Sequence, residues 1–330
     1  MKNIVIFGAT GNTGSYFTLF AKEYFKERYN VIAVGRKKTQ FFTKYNIPYY
    51  SVDISKQNEF SILPKENIHA VVLLAATIPS YMALYNPMQY VMSNTVGALN
   101  VLEYCRKNHI DRVLYTQTVF DVSLSVKVGE KLDPNTPRNF SYKGDHAVYV
   151  ISKNTAVDLI EHYYQEYGLK KFIFRLPTIY NYSPFHYYYP NGIKTKRPIY
   201  TMIERALHSQ PLEIWGNPHY SKDMVYVADF SQMLCKAIEV DRTHGFYNVG
   251  TGIPVSIEEQ IKTIVEVFSP QGKPSPIIYC PEKPIGGGFL MDISNARLEL
   301  GYVPQYSCKK LFEAYKQEML LNRFQSLLEK

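Results

Sequence analysis

Short unbroken apolar runs alternate with amphipathic stretches along the first half of the chain. Residues 2–8 (KNIVIFG) are β-branched and end in glycine, which predicts a strand buried on both faces. A helical pattern follows over residues 15–26, then a second strand at 31–34 and a third at 48–54. Residues 70–76 (AVVLLAA) form a fourth strand with no polar position, and its small alanines let a ligand lie close to the backbone. Helical spacing returns at 86–108, with further strands at 112–116 and 171–176. This alternation predicts an α/β fold, a doubly wound parallel sheet that binds ligands at the carboxyl ends of its strands.

The texture changes after Pro177. Residues 180–200 are rich in Tyr, Pro and Asn and read as a long loop over a site. The cluster Phe185-His186-Tyr187-Tyr188-Tyr189 suits stacking on a base or sugar ring, and equally a core or a subunit contact. Helical patterns at 201–209, 227–240, 256–268, 294–300 and 309–327 are separated by short strands at 212–215, 245–249 and 276–279. The expected division is a dinucleotide-binding domain over residues 1–176 and a smaller α/β substrate lobe over 177–330. Some later segments return to the first domain.

Between the first strand and its helix stands Gly8-Ala9-Thr10-Gly11-Asn12-Thr13-Gly14. Glycines there permit a tight turn and close approach to a pyrophosphate, and the helix start offers free N–H groups. The spacing is GxxGxxG, not the usual GxGxxG, but a strand precedes it and a helix follows. The second strand runs into Gly35-Arg36-Lys37-Lys38. An acid at this point holds the ribose 2′-hydroxyl of NAD, whereas an arginine accommodates the 2′-phosphate of NADP. Arg36 therefore favours NADP over NAD, and a solvated basic turn fits the same residues. Asp53, at the end of the third strand, can accept hydrogen bonds from an adenine amino group. Tyr149 and Lys153 are four residues apart, on one face if the segment is helical. An ammonium beside a phenol favours phenolate, making an acid/base pair. In a chain with 29 tyrosines the spacing alone also arises by chance.

A chain of 330 residues with 46% hydrophobic content is long enough for two domains and folds without staples. The net charge is +8, yet lysines and arginines are scattered without a long basic tract. A phosphate-bearing small molecule explains that balance as well as nucleic acid does, and without a basic patch nucleic acid is not expected. Cys105, Cys235, Cys280 and Cys308 are widely spaced and the eight histidines do not cluster, so no metal site is expected. A lone His146 reads as structural. A strand begins within two residues of the start, without a signal peptide, and no apolar run approaches the roughly 20 residues of a membrane span. A cytoplasmic location is expected.

In order, the chain carries GATGNTG (8–14), LLAA (73–76), TQTVF (116–120), YVISK (149–153), FRLPTIYN (174–181), WGNPHYSKDMVYVADF (215–230), FYNVGTG (246–252) and DISNARLELGYVP (292–304). This series resembles the extended short-chain dehydrogenases/reductases, in particular the nucleotide-sugar epimerase/dehydratase group, almost end to end. The resemblance implies a Rossmann-type sheet and assigns Tyr149 as catalytic acid/base. Lys153 would tune it and hold the nicotinamide ribose, and Thr116 would donate to the substrate oxygen. Gly8, Thr10, Gly11, Asn12, Thr13 and Gly14 would hold the pyrophosphate, Asp53 and Ile54 flank the adenine, and Ala75, Ala76 and Pro177 adjoin the cofactor. Thr178, Trp215, Lys222 and Lys283 would contact substrate. A homodimer through residues 86–108 and 145–168 is also implied.

Departures from the group narrow the reaction. Related dehydratases place two acids after the catalytic Thr, where this chain has Gln117 and Thr118, so a dehydratase is not expected. Lys222 and Lys283 stand where relatives use arginines, which loses the bidentate fork, and Thr178 stands where many have Asn. The expected function is a nucleotide-sugar epimerase. The alternatives are an NADPH-dependent reductase of a keto-sugar or other carbonyl compound, and a cofactor-binding regulatory protein without turnover.

Overall fold

The computed structural model describes residues 1–127, 129–144, 146–284 and 286–327. Its central sheet contains β1 (Lys2–Phe7), β2 (Tyr29–Gly35), β3 (Tyr49–Ser51), β4 (Ile68–Leu73), β5 (Arg112–Thr118), β6 (Lys170–Leu176) and β7 (His244–Asn248). The order is β7-β6-β5-β4-β1-β2-β3, with every neighbouring pair parallel. Strand order reverses between β1 and β4, and a crevice opens there at the carboxyl ends. The longer helices are α1 (Asn12–Phe25), α2 (Gly97–Lys107), α3 (His146–Tyr167), α4 (Pro198–Leu207), α5 (Val227–Glu239), α6 (Ile257–Phe268), α7 (Ser294–Leu300) and α8 (Cys308–Leu321).

The unbroken apolar runs follow from cover on both faces. In β1, Ile4 and Ile6 enter one core while Val5 and Phe7 enter the other, and β4 divides Ala70 and Val72 from Val71 and Leu73 in the same way. The first core takes Phe17 and Phe25 of α1 with Phe230 and Leu234 of α5; the second takes Val101 of α2 and Ile160 of α3. Neither face meets water, so no polar residue alternates.

Several elements differ from the sequence expectation. Residues 86–108 are not one helix: a turn at Pro87–Tyr90 and a π-helical stretch at Val91–Val96 precede α2. β3 ends at Ser51, because the Asp53 carboxylate turns back to accept hydrogen bonds from the Ser55 N–H (3.0 Å) and hydroxyl (2.8 Å). The strand expected at 245–249 pairs with β6 and becomes the seventh strand of the main sheet. The last helix stops at Leu321, where Asn322 takes φ 42, and Phe324 and Leu327 then enter the core. The segment over 180–200 is not wholly irregular, since Tyr187–Tyr188 and Thr195–Lys196 form a small antiparallel ladder.

The loop after β5 is held by a buried ion pair. Arg175 on β6 lies 3.0 Å from Asp121, and both side chains are almost wholly enclosed. Arg175 also donates to Pro134 O (3.0 Å), while Asn248 of β7 donates to Leu132 O (2.7 Å). Burial raises the Asp121 carboxyl and the Arg175 charge opposes that shift. Arg175→Met leaves the carboxylate enclosed without its partner and should lower stability by about 3–5 kcal/mol in chemical denaturation. The double variant Arg175→Met/Asp121→Leu should recover part of that loss. Unchanged stability of the single variant would show that the loop is held by other contacts.

Candidate active site

The glycine loop is pressed against the ends of β2 and β4. Gly8 has φ 88, and a Cβ there would lie 2.5 Å from Ala75 N; one on Gly14 would lie 2.0 Å from Gly8 O. The N–H groups of Gly8 and Ala9 both donate to Val34 O, at 2.9 and 3.0 Å. Thr10 packs over Gly35, where a Cβ would stand 2.7 Å from its Oγ1. α1 starts at Asn12 with Gly11 as N-cap and no side-chain cap. Its first N–H groups are therefore left to a ligand anion, as a dinucleotide pyrophosphate requires.

From this loop a cavity of about 350 Å³ runs across the strand ends. Its lining includes Gly8, Gly11, Asn12, Thr13 and Gly14 on one side and Thr116, Tyr149 and Lys153 on the other, with Ala76, Pro177 and Thr178 between them. The chain thus brings together eleven of the expected residues, drawn from positions 8 to 178. Thr116 and Thr118 are both on β5, two residues apart, so they share one face of the strand.

Two buried ionisable groups on α3 belong to this wall. Lys153 is 2% exposed, with Nζ 4.1 Å from the ring centre of Tyr115, and burial brings its pKa down to about 7. Burial pushes the Tyr149 phenol up to about 12; a hydrogen bond from Thr118 acts downward and the Asp121 charge upward. The sequence predicts a phenol lowered by Lys153; in the folded chain desolvation is the largest cause and Lys153 is not among those acting on it. Gln117 also lines the cavity, but its amide is already engaged. Its Nε2 donates to Asn154 Oδ1 on α3 (2.8 Å), and its Oε1 accepts from the Thr118 N–H (2.7 Å).

Sequence reasoning missed several contributors. Thr118 entered it only as a replaced acid, although a hydroxyl two residues after Thr116 on a strand was the available signal. Asn94, turned inward by the π-helical stretch, accepts from Thr77 N (2.8 Å) and donates to Thr77 O (3.0 Å) and Ser152 Oγ (3.0 Å). It ties the segment after Ala76 to α3. Asn12 and Asn181 exchange amide hydrogen bonds at 3.2 and 3.1 Å, joining the glycine loop to the second half of the chain. His146 also lines the cavity, its ring centre 4.7 Å from that of Phe120 and 6.4 Å from that of Tyr149.

The remaining expected residues fall elsewhere. Arg36 is exposed at the end of β2, its carbonyl accepting from Ser51 Oγ at 3.2 Å. Ile54 packs on Gly97, where a Cβ would lie 2.7 Å from its Cδ1, and its carbonyl accepts from Asn100 Nδ2 at 2.8 Å. Asp53 and Ile54 lie outside the cavity lining, beyond β3. Lys222 lines a second cavity of about 280 Å³ that shares Asn12, Ser80, Thr178, Ile179 and Arg197 with the first. Neighbouring Asp223 anchors it by accepting from the N–H groups of Thr251 (2.7 Å) and Gly252 (2.8 Å). Trp215 and Lys283 line neither cavity: Lys283 Nζ is 2.5 Å from Glu213 and 5.0 Å from the Trp215 ring centre. Among the described residues no cluster of His, Cys, Asp and Glu could hold a metal ion, and no helix is long and apolar enough to cross a membrane.

A glycine loop at the switch point of a parallel sheet, opening on an enclosed Tyr and Lys, is the construction of a dinucleotide-dependent oxidoreductase. The chain belongs to the NAD dependent epimerase/dehydratase family, whose sequence model matches residues 4–250, and is thus an enzyme of the extended short-chain dehydrogenase/reductase type. It is 26% identical over 318 residues to a putative UDP-glucose 4-epimerase of Methanocaldococcus jannaschii, covering 93% of this chain and 95% of that one. In fold it is similar to the UDP-glucose 4-epimerase of Thermotoga maritima solved with UDP-glucose, at TM-score 0.73 and 22% identity over 96% of this chain and 99% of that one. A dTDP-glucose 4,6-dehydratase of Bacillus anthracis in complex with NAD gives TM-score 0.73 and 19% identity over 98% and 97%.

The buried lysine makes stability depend on pH. Between pH 7 and 10.5 the unfolded chain holds a proton on Lys153 that the folded chain lacks. The group's contribution therefore rises with pH across that window and is lost as pH falls through about 7. In protein without added cofactor, Lys153→Met should raise the melting temperature by several degrees at about pH 6 and by much less near pH 10. Equal gains at the two pH values would contradict an enclosed, unneutralised ammonium.

Proposed function

We propose that the chain is an NAD(P)-dependent nucleotide-sugar epimerase that oxidises a ring hydroxyl, commonly at C4, and lets the ketone be reduced from the opposite face. The carrying observation is the make-up of the cavity. Tyr149, Lys153 and the hydroxyls of Thr116 and Thr118 converge in it, no described lining residue is Asp or Glu, and Gln117 is tied to Asn154. Relatives that expel water beside a ketone use a pair of carboxyl groups, which the described lining does not hold; proton exchange at one oxygen needs only a single acid/base. The names of the relatives support the same substrate class.

The glycine loop residues, Ala75, Ala76, Lys153 and Pro177 would hold the cofactor, with Asp53 and Ile54 toward its adenine. Bound there, it would supply the hydride acceptor for the ring carbon and the donor for the return. Tyr149 Oη removes the hydroxyl proton as the ketone forms and gives it back on reduction. Thr116 donates a hydrogen bond to the same oxygen. Tyr149 must come down from about 12 to act near neutrality, and positive charge beside it, on a protonated Lys153 or on the oxidised nicotinamide, would act in that direction. Thr178 and Lys222 face the substrate side.

Arg36, exposed where a 2′-phosphate would lie, supports NADP and with it the second reading, a reductase of a keto-sugar. Substrate-dependent loss of NADPH absorbance would favour that reading; cofactor retained through purification would favour the epimerase. Exposed Leu84, Met88, Val91 and Met92 before α2, with Ile151 on α3, support a homodimer through that face. Four buried free thiols are in keeping with the cytoplasm.

Incubation with UDP-hexoses, UDP-hexuronates and UDP-N-acetylhexosamines should interconvert one pair of C4 epimers. No conversion by folded, cofactor-loaded protein would sink the epimerase reading. Tyr149→Phe should lower turnover at least about 100-fold with cofactor affinity nearly unchanged; activity that survives would place the acid/base elsewhere. Arg36→Ala should weaken NADP about tenfold and NAD hardly at all, in fluorescence titrations. Equal loss for both cofactors would remove Arg36 from the 2′-phosphate.

A further inference from the structure

The two cavities meet at Arg197, which lines both. Its backbone is fixed at the start of α4: its N–H donates to His186 O (2.9 Å), and its carbonyl accepts from Tyr200 N (3.0 Å) and Thr201 N (3.2 Å). The side chain is half-buried. Burial raises the phenols of Tyr200 and Tyr315, and the Arg197 charge acts on both in the opposite direction. The guanidinium therefore lies near these two rings, both of which line the second cavity.

Charge in this region is one-sided. None of the described residues lining either cavity is Asp or Glu, whereas Lys153, Arg197 and Lys222 all belong to the linings. Lys153 is at the Tyr149 end, and Lys222 lies in the second cavity. Arg197 stands where the two join. Lys283, the other cation the sequence offered for substrate phosphates, is instead paired with Glu213. A ligand spanning both cavities must pass Arg197, and its negative charge belongs at that crossing.

Resting on the nucleotide-sugar reading, we propose that Arg197 binds the diphosphate of the substrate, with Lys222 as the second cation. The sugar then lies in the first cavity toward Tyr149, and the nucleoside lies in the second, against Tyr188 and Tyr200. A guanidinium fork can hold two phosphate oxygens at once, which restores the bidentate contact that Lys222 lacks.

Calorimetric titration of NAD-saturated protein tests this, using UDP, dTDP, GDP, CDP and ADP and the monophosphate of whichever binds best. Wild-type protein should bind one nucleoside diphosphate well ahead of its monophosphate. R197M should weaken the diphosphate at least about tenfold and shrink its advantage over the monophosphate, with NAD affinity unchanged. R197K should fall between the two. K196M removes a neighbouring cation already 2.5 Å from Glu204 and should change affinity less than about twofold. R197M binding the diphosphate as wild type does would overturn the assignment and leave the epimerase reading standing, and so would K196M losing as much as R197M. If R197M fails to bind NAD, R197K at wild-type affinity overturns it. No diphosphate bound by NAD-loaded wild-type protein would overturn both readings.

Discussion

An ammonium enclosed without a carboxylate costs free energy that the rest of a fold must offset. Lys153 is such a group: among the described residues no acid pairs with it, and its Nζ rests on the ring of Tyr115. Around it the chain is held at several points. Gln117 bonds Asn154, Asn94 bonds Ser152, and the Ser152 hydroxyl bonds Tyr149 O at 2.7 Å. The first of these ties α3 to β5 and the second ties it to the π-helical stretch, so Tyr149 and Lys153 on the helix share a cavity with Thr116 and Thr118 on the strand. Two apolar cores, one on each face of the sheet, supply the stability against which the buried charge is set.

The same enclosure explains why the phenol is not yet a base in the folded chain alone. Desolvation acts on both partners, raising Tyr149 and lowering Lys153. The phenol is therefore neutral near pH 7 while Lys153 is divided there between ammonium and amine, and a charge added beside them has a large effect in so low a dielectric. In the proposed reaction that is the condition for a proton to move at one oxygen and move back.

Much of this was legible in the chain. Apolar runs gave the strands because both sheet faces are covered, and the glycine loop was readable because only glycine tolerates the close approach to Ala75 and Gly8 O. What stayed hidden depends on contacts between distant residues. His244–Asn248 joins the main sheet only by pairing with β6, which no local period reveals. Asn94 reaches the site through a π-helical turn inside a stretch that reads as ordinary helix. Lys283 followed a resemblance in the sequence, but Glu213 and Trp215 hold it on another face. Arg197 lay in a Tyr-rich segment without helix or strand period, and only the folded chain places it between two cavities.

The account stands or falls on whether one hydride leaves a sugar carbon and returns to that same carbon. A nucleotide-sugar that the enzyme turns over, carrying deuterium on the carbon to be inverted, would be converted in ordinary water and the product read by NMR and mass spectrometry. The epimerase reading predicts that the product keeps its deuterium on the inverted carbon while no free reduced cofactor accumulates. Deuterium lost to water, or recovered on reduced cofactor in amounts matching the product, would contradict it.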